Sequence, residues 1–455
     1  MTSFKYFGAS VVTAILVAVT PAHAQLTLAD AIEEADRAAY ANRAATSMAN
    51  ADRAMAIKPL QGILPSARVE TAFVRTTDPI GAFGTTLRQR AVTPAAFDPV
   101  RLNHPAPVND YTAALVAEVP LVNLDAWAGR RAASRAADAS DAHAAWTRLE
   151  TRTNVIRAYY GAVLAAEKVA ALEAGSRAAN AHLAQATSMA EQGMVTRADI
   201  LLAGVRAGEV SADLATARAD ALDATRQLAL LLGRSVHELP ALPEALPPSQ
   251  AVLEFMAQLG AHGDMNQKRA DVHAAELQHA AAAADRFRAR VATLPRLNGF
   301  VRYDWHHDAA PFGGNRNWTV GIMASWNVLS SAGEFADSRV ASSRAEAALV
   351  NAEATRGHAA LQLEGARSRL DVALQRLEIA ERGAVQGAEA HRLVARRYEG
   401  GLATVAELLE AQATETGSAL ALSHARYGVI TSIADLLQAG SADPGAMTRL
   451  DASNR

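Results

Sequence analysis

The 455-residue chain contains no cysteine, which excludes disulfides and a thiol for lipid attachment. Aromatic residues are scarce, 5 % against a hydrophobic content of 50 %, because alanine supplies most of the apolar side chains. That balance suits long, closely packed helices better than a compact globular core. Neither sign of charge dominates: 44 basic residues stand against 47 acidic ones without a basic block, so nucleic-acid binding has little support. No Gly-rich phosphate loop, nucleophile elbow or zinc-helix motif occurs. The chain is therefore read as a non-enzyme without cofactor or metal. After residue 24 no stretch has the length and apolarity of a spanning helix.

What is present begins with a secretory signal over residues 1–24. Lys5 gives a positive start, Val11 to Val19 a short apolar run, and Ala22-His23-Ala24 a small-residue cleavage site before Gln25. The run is shorter than the roughly 20 residues a membrane anchor needs. An exported chain without membrane helices is periplasmic, secreted or a β-barrel.

From Leu26 to about Lys58 the pattern is that of one helix, with Thr27 and Asp30 resembling a capping box and Pro59 and Leu64-Pro65 ending it. The period then changes to two: Val69, Thr71 and Phe73 share one face, Glu70 and Ala72 the other. Residues 76–110 are rich in Pro and Gly and are expected to be an exposed loop joining two strands. Tyr111, Ala113, Leu115, Ala117 and Val119 line one face of the next strand. Ala126 to Met189 is helical, with Leu149, Ile156 and Val163 every seven residues; after an interruption Ile200, Ala207, Leu214, Ala221 and Leu228 continue.

The second half repeats this order. Glu191-Gln-Gly-Met-Val-Thr-Arg-Ala-Asp-Ile-Leu-Leu202 aligns with Tyr398-Glu-Gly-Gly-Leu-Ala-Thr-Val-Ala-Glu-Leu-Leu409, placing Gly193 on Gly401, Met194 on Leu402 and Asp199 on Glu407. A glycine reverses the chain without steric cost, so each copy is the tip of a long helical hairpin. The expected organisation is a first repeat over 25–233, with strands about 67–76 and 111–120 and a hairpin about 126–232. A Pro-rich linker covers 234–250. The second repeat covers 251–440, with strands about 296–305 and 318–327 and a hairpin about 333–438, and a C-terminal tail covers 441–455. The helix from 251 to Thr293 is expected to break near Gly260 to Asp264, and Gly440 and Pro444 to end the ordered part. Leu363, Leu370, Leu377 and Ala384, then Leu422, Val429 and Leu436, carry the seven-residue stripe of the second hairpin. These stripes are core packing. The fold class is mainly α with a small β part, and repeats of this kind weigh more than any single motif.

Each strand has about the ten-residue length of a bilayer-spanning β-strand. Outward positions include Tyr303, Trp305, Trp318 and Trp326, which suit a membrane interface; Glu70, Glu118, Arg302 and Asp304 point inward, which suits a wet lumen. A soluble four-stranded sheet is the alternative. Four spanning strands leave two open edges, which lipid does not tolerate, so closure needs further copies of the chain. Two copies give eight strands and a filled interior; three give twelve and a lumen.

The duplicated plan and the two tip sequences resemble the TolC family of outer-membrane efflux proteins. Arg269-Ala270-Asp271 is similar to the family's Arg-Pro-Asp, with Ala270 in place of proline. The resemblance implies a homotrimer with a twelve-stranded outer-membrane barrel and a long α-helical barrel reaching into the periplasm. It also implies docking to a periplasmic adaptor (membrane fusion) protein and, through it, to an inner-membrane pump. Such a duct passively conducts small molecules or ions outward. Gly193-Met194 and Gly401-Leu402 become the adaptor-docking tips.

Glu407 and Glu410 lie three residues apart on one helix face. Spacing alone favours a solvated face; the resemblance makes them acidic rings lining a constricted entrance. Asp199 then matches an acid that holds the entrance shut by polar links, but the basic partner expected after the second tip glycine is replaced by Ala403, leaving Arg197 or Arg397 as substitutes. His306-His307-Asp308 offers metal-ligand chemistry in an expected loop, where adjacent histidines rarely close a site. Two other functions stay open: the outer-membrane part of a type I protein-secretion system, and a periplasmic coiled-coil scaffold without a pore. Heat-modifiable trimers in outer-membrane fractions are the expected result. Monomeric chain confined to the periplasm would favour the scaffold.

Overall fold

The computed structural model describes residues 25–238, 240–262, 269–326 and 333–452. The secretory signal, Asn327 and the 263–264 part of the expected helix break lie outside the described residues.

Helix α1, Leu28–Ala38, starts where the Thr27 hydroxyl accepts the Asp30 amide at 3.1 Å. Leu28, Ala31, Ile32 and Ala35, spaced one helical turn apart, are its buried face. The single helix expected here is in fact two. Ala39 is extended (φ −56°, ψ 131°), and α2 runs over Tyr40–Met55. The buried Asn42 amide reaches back to the Ala35 carbonyl at 3.2 Å, and its oxygen accepts the Thr151 hydroxyl at 2.9 Å. A side chain bonded this way offers the backbone an alternative to a continuous helix.

Strand β1 is Ser66–Thr76 and β2 is Val108–Val122. The segment between them is not the unpatterned loop expected from its composition. It forms α3, Pro79–Arg88, a 3-10 turn at Pro94–Phe97, and α4, Pro99–Asn103. Its Asp-Pro pairs are helix starts: Asp78 accepts the Gly81 amide at 2.6 Å and Asp98 the Val100 amide at 2.9 Å, each with proline in the first turn.

The first hairpin consists of α5, Leu124–Glu191, and α6, Arg197–Leu231. At 68 residues α5 is about 100 Å long. Helices α7, Ser249–His262, and α8, Ala270–Val291, precede β3, Arg296–His307, and β4, Asn315–Ser325. The second hairpin is α9, Gly333–Glu399, and α10, Val405–Ala439. Order does not end at Gly440. A 3-10 turn at Pro444–Met447 and α11, Thr448–Ala452, return to the body, where Met447 and Leu450 are fully buried. Both side chains belong to the main apolar core.

The sheet is antiparallel in the order β1-β2-β3-β4. Its register puts Val69 beside Leu115, Leu115 beside Tyr303 and Tyr303 beside Trp318, so one face is continuously apolar. The other face carries ion pairs. Arg68 donates to Glu70 at 2.7 Å and to Glu118 at 2.8 Å, and Arg302 donates to Glu70 at 3.0 Å. The main core lies lower, where α1, the middle of α5, the end of α6, the middle of α9 and the C-terminal half of α10 meet around Ile156, Tyr159, Leu228, Leu370 and Ile433. The expected stripes supply Ile156, Val163, Leu228, Leu370, Leu377, Val429 and Leu436 to it. The linker is bound to this body: Arg234 pairs with Glu34 through two 2.6 Å bonds, and the Leu26 amide donates to the Ala241 carbonyl at 2.8 Å.

Arg269 and Asp271 form a clamp at the start of α8. The guanidinium donates twice to Asp271, at 3.0 and 2.7 Å, and once to Gln362 on α9 at 2.8 Å. It also lies 4.6 Å from the Trp146 ring centre on α5, joining three helices. Ala270 is the first helical residue, and Arg269 before it is extended (φ −56°, ψ 136°). That is the backbone a following proline requires, and the first-turn amide has no intrahelical partner to lose. Ala270→Pro is expected to stabilise the chain by about 0.4–1 kcal/mol by restricting the unfolded state. A thermal melt of the purified protein should show a higher midpoint; a lower one would contradict this account of the clamp.

Candidate gate and docking tips

Both hairpin tips use the same local chemistry. After α5, Gly193 takes φ +74°, its amide donates to the Ala190 carbonyl at 2.9 Å, and the Met194 amide donates to the Met189 carbonyl at 2.9 Å. After α9, Gly401 takes φ +72°, with Gly401 bonding to Tyr398 at 3.0 Å and Leu402 to Arg397 at 2.7 Å. These are Schellman ends, in which the left-handed residue turns the chain while satisfying the last carbonyls. A Cβ at either glycine would meet nothing within 4 Å, so only the backbone angle demands glycine there. Met194 and Leu402 are 58 % and 73 % exposed. The structure therefore puts all four expected tip residues at free reversals.

The helices that leave the tips both start with a capping box, a Thr-x-x-acid signal legible at residues 196–199 and 404–407 but not used in the sequence reading. The Thr196 amide donates to Asp199 at 2.8 Å and the Thr404 amide to Glu407 at 2.6 Å; the threonine hydroxyls accept the Asp199 and Glu407 amides in return. The side-chain and backbone bonds from Thr196 hold the Asp199 carboxyl below its usual range. The Thr404 amide, its hydroxyl and the charge of Arg397 do the same for Glu407. Two acids expected at the gate thus cap helices as well. Glu410, one turn on, is exposed like Glu407, while Leu408, Leu409 and Gln412 form the buried face of α10.

The two tips touch. Ala186 and Ala203 from the first pack with Tyr398, Val405, Leu408 and Leu409 from the second. Burial of Tyr398, and after it the charge of Asp199, raises its phenol pKa. Arg397 donates to the Leu402 carbonyl at 3.0 Å, so one of the two substitute bases stands at the second tip; Arg197 is exposed at the start of α6.

Further along, α10 is tied to α5 by bonds with no sequence signal, because their partners are more than 230 residues apart. Gln412 donates to the Gly175 carbonyl at 3.1 Å, Arg426 to Glu167 at 3.0 Å, and Tyr427 to the Arg157 carbonyl at 3.2 Å, and Arg157 pairs with Asp435.

The histidine pair expected in a loop is not in one: His306 and His307 belong to β3. His306 is buried with Nδ1 2.8 Å from Asp110 and Nε2 2.7 Å from Asp304, so both ring nitrogens already have carboxylate partners. Among the described residues no group of three or more His, Cys, Asp or Glu is arranged to hold a metal ion, and no helix is long and apolar enough to cross a membrane.

The capping boxes have a pH signature. A carboxyl whose pKa is lowered on folding contributes its stabilisation above its unfolded value, and loses it as pH falls through the folded value. Protection of the Thr404 amide from hydrogen exchange should therefore decline below the ordinary carboxylate range of about pH 4–4.5. In Glu407→Gln, whose amide oxygen still accepts but does not titrate, that decline should vanish. Identical pH profiles for both proteins would remove the cap from this account.

A family profile described as outer membrane efflux protein matches residues 82–234 and 263–440. Solved structures share the fold at low identity. A membrane protein from Pseudomonas aeruginosa is 20 % identical over 91 % of this chain and 93 % of its own, with a TM-score of 0.76. The Campylobacter jejuni CmeC outer membrane channel is 16 % identical over 94 % and 88 %, with a TM-score of 0.76. The open state of the Neisseria gonorrhoeae MtrE outer membrane channel is 20 % identical over 92 % and 89 %, with a TM-score of 0.71. No curated protein shows significant sequence similarity. With both halves of the repeat matched, the chain belongs to the outer membrane efflux protein family.

Proposed function

We propose that three copies of this outer-membrane chain close into one passive duct, through which small molecules or ions leave the cell. The observation that carries the reading is the sheet: one face apolar, one face charged, and two edges, β1 and β4, unpaired among the described residues. Pairing β4 of one copy with β1 of the next gives twelve strands, with ion pairs such as Arg302–Glu70 toward the lumen. Exposed Val372, Ile379 and Val385 on α9 give the helical layer apolar surface to bury as well.

In this reading the tips dock a periplasmic adaptor, and an inner-membrane pump supplies the energy. Free reversals bearing Met194 and Leu402 support it. Gly401→Val is expected to strain the turn by about 1–2 kcal/mol without a steric clash, and to abolish efflux while trimers still assemble. Normal export by well-folded Gly401→Val trimers would sink the docking role.

Glu407 and Glu410 become two acidic rings at the narrow end. Like charges at 4 Å repel by about 4 kcal/mol at an effective dielectric of 20, so a closed entrance is held by packing, polar links or bound cations. Multivalent cations should therefore block conductance from the periplasmic side. Glu407→Gln with Glu410→Gln should relieve the block and reduce cation preference in planar bilayers. Glutamine is chosen at 407 because it keeps the capping box. Unchanged block and preference would reduce the two acids to a cap and a solvated face.

A further inference from the structure

Two histidines outside the gate have a feature that the duct does not use. His182 on α5 and His391 on α9 face each other with ring centres 6.2 Å apart and planes at 86°. The Nε2 atom of each is shut off from solvent and has no hydrogen-bond partner. Buried ring nitrogens without partners are uncommon, because their desolvation goes uncompensated.

Their other nitrogens are engaged. His391 Nδ1 lies 2.6 Å from Glu415 Oε2 on α10. A carboxylate only accepts, so this nitrogen carries the proton, and in neutral His391 the Nε2 lone pair is bare. The Gln185 side chain bonds to His182, and with Nε2 unpartnered that bond falls on Nδ1.

We propose that His182 and His391 bind one divalent transition-metal ion of the imidazole-preferring class through their Nε2 atoms. Two imidazoles sharing an ion at metal–nitrogen distances of about 2.0–2.1 Å have ring centres about 5 Å apart at a tetrahedral angle and about 6.4 Å apart on opposite sides of the ion, so the 6.2 Å spacing fits a wide, nearly trans pair. The Glu415 carboxylate behind His391 is the partner that orients a metal-bound histidine and raises its basicity. Only two protein nitrogens are offered, and no group of three or more ligands is arranged there among the described residues. The ligands stand about 15 Å above the tips, counting 10 or 11 residues of helix from Gly401 and Gly193. They come from different hairpins of one chain, so a bound ion would tie α5 to α9 whatever the oligomeric state.

The test is calorimetric titration of the full mature protein in detergent with Zn²⁺. To remove the acidic rings as competitors it is run in the Glu407→Gln, Glu410→Gln background, so the outcome does not depend on the proposed gate. One Zn²⁺ per chain is expected, lost in His182→Ala and in His391→Ala, and weakened 10- to 100-fold in Glu415→Gln. Circular dichroism of each variant guards against unfolding. Copper(II) on the unsubstituted histidines adds a reading without mutation: its electron paramagnetic resonance spectrum should show coupling to two imidazole nitrogens. No stoichiometric Zn²⁺ binding, binding unchanged by both histidine substitutions, or copper bound by oxygen ligands alone would each overturn the proposal.

Discussion

A strand edge carries amide and carbonyl groups that hydrocarbon cannot satisfy, and β1 and β4 each leave one such row unpaired among the described residues. That constraint governs the rest of the molecule. On the apolar face Val69, Leu115 and Trp318 are exposed, and the opposite face spends its charges in cross-strand pairs. In the proposed duct, further copies of the chain finish the sheet in the membrane. A helix of nearly seventy residues follows each pair of strands, α5 starting two residues after β2 ends.

Alanine makes those helices possible. Small side chains at positions such as Ala186, Ala203 and Ala366 let helices approach closely, while a few large residues, Tyr159, Tyr160 and Ile433 among them, fix the level at which the body is thickest. Between that body and the apolar cluster at the tips, polar contacts join the hairpins. There α10 is fastened to α5 by single bonds to backbone carbonyls and by the Arg426–Glu167 pair, contacts that can be exchanged one at a time. The capping boxes fix the first turns of α6 and α10 at the tip end of these helices.

Much of this plan was legible in the residues. Period-two alternation located all four strands, the seven-residue stripes located the core, and Gly193 and Gly401 located the reversals, since each signal is local and repeated. Composition misled where it stood in for geometry. The Asp-Pro pairs at 78–79 and 98–99 looked like loop marks and are helix starts, and the tail beyond Gly440 packs through Met447 and Leu450. The break at Ala39 depends on Asn42 meeting Thr151, a contact between distant residues that no window of sequence contains. At the candidate site the tip glycines were legible and the caps at Asp199 and Glu407 were readable but passed over. The α5–α10 links and the His182–His391 pair arise only when the two halves fold together.

The central claim is that β4 of one copy pairs with β1 of the next in a closed ring of three. The absence of native cysteine makes this directly measurable. Cysteine pairs placed around Thr71 on β1 and Val320 on β4 lie on opposite edges of the sheet, three strand spacings or about 14 Å apart within one chain, too far for an internal disulfide. Oxidation in outer membranes should give covalent dimers and trimers and nothing larger. Chains that stay monomeric across the whole panel, or a ladder running beyond trimer, would contradict the closed duct.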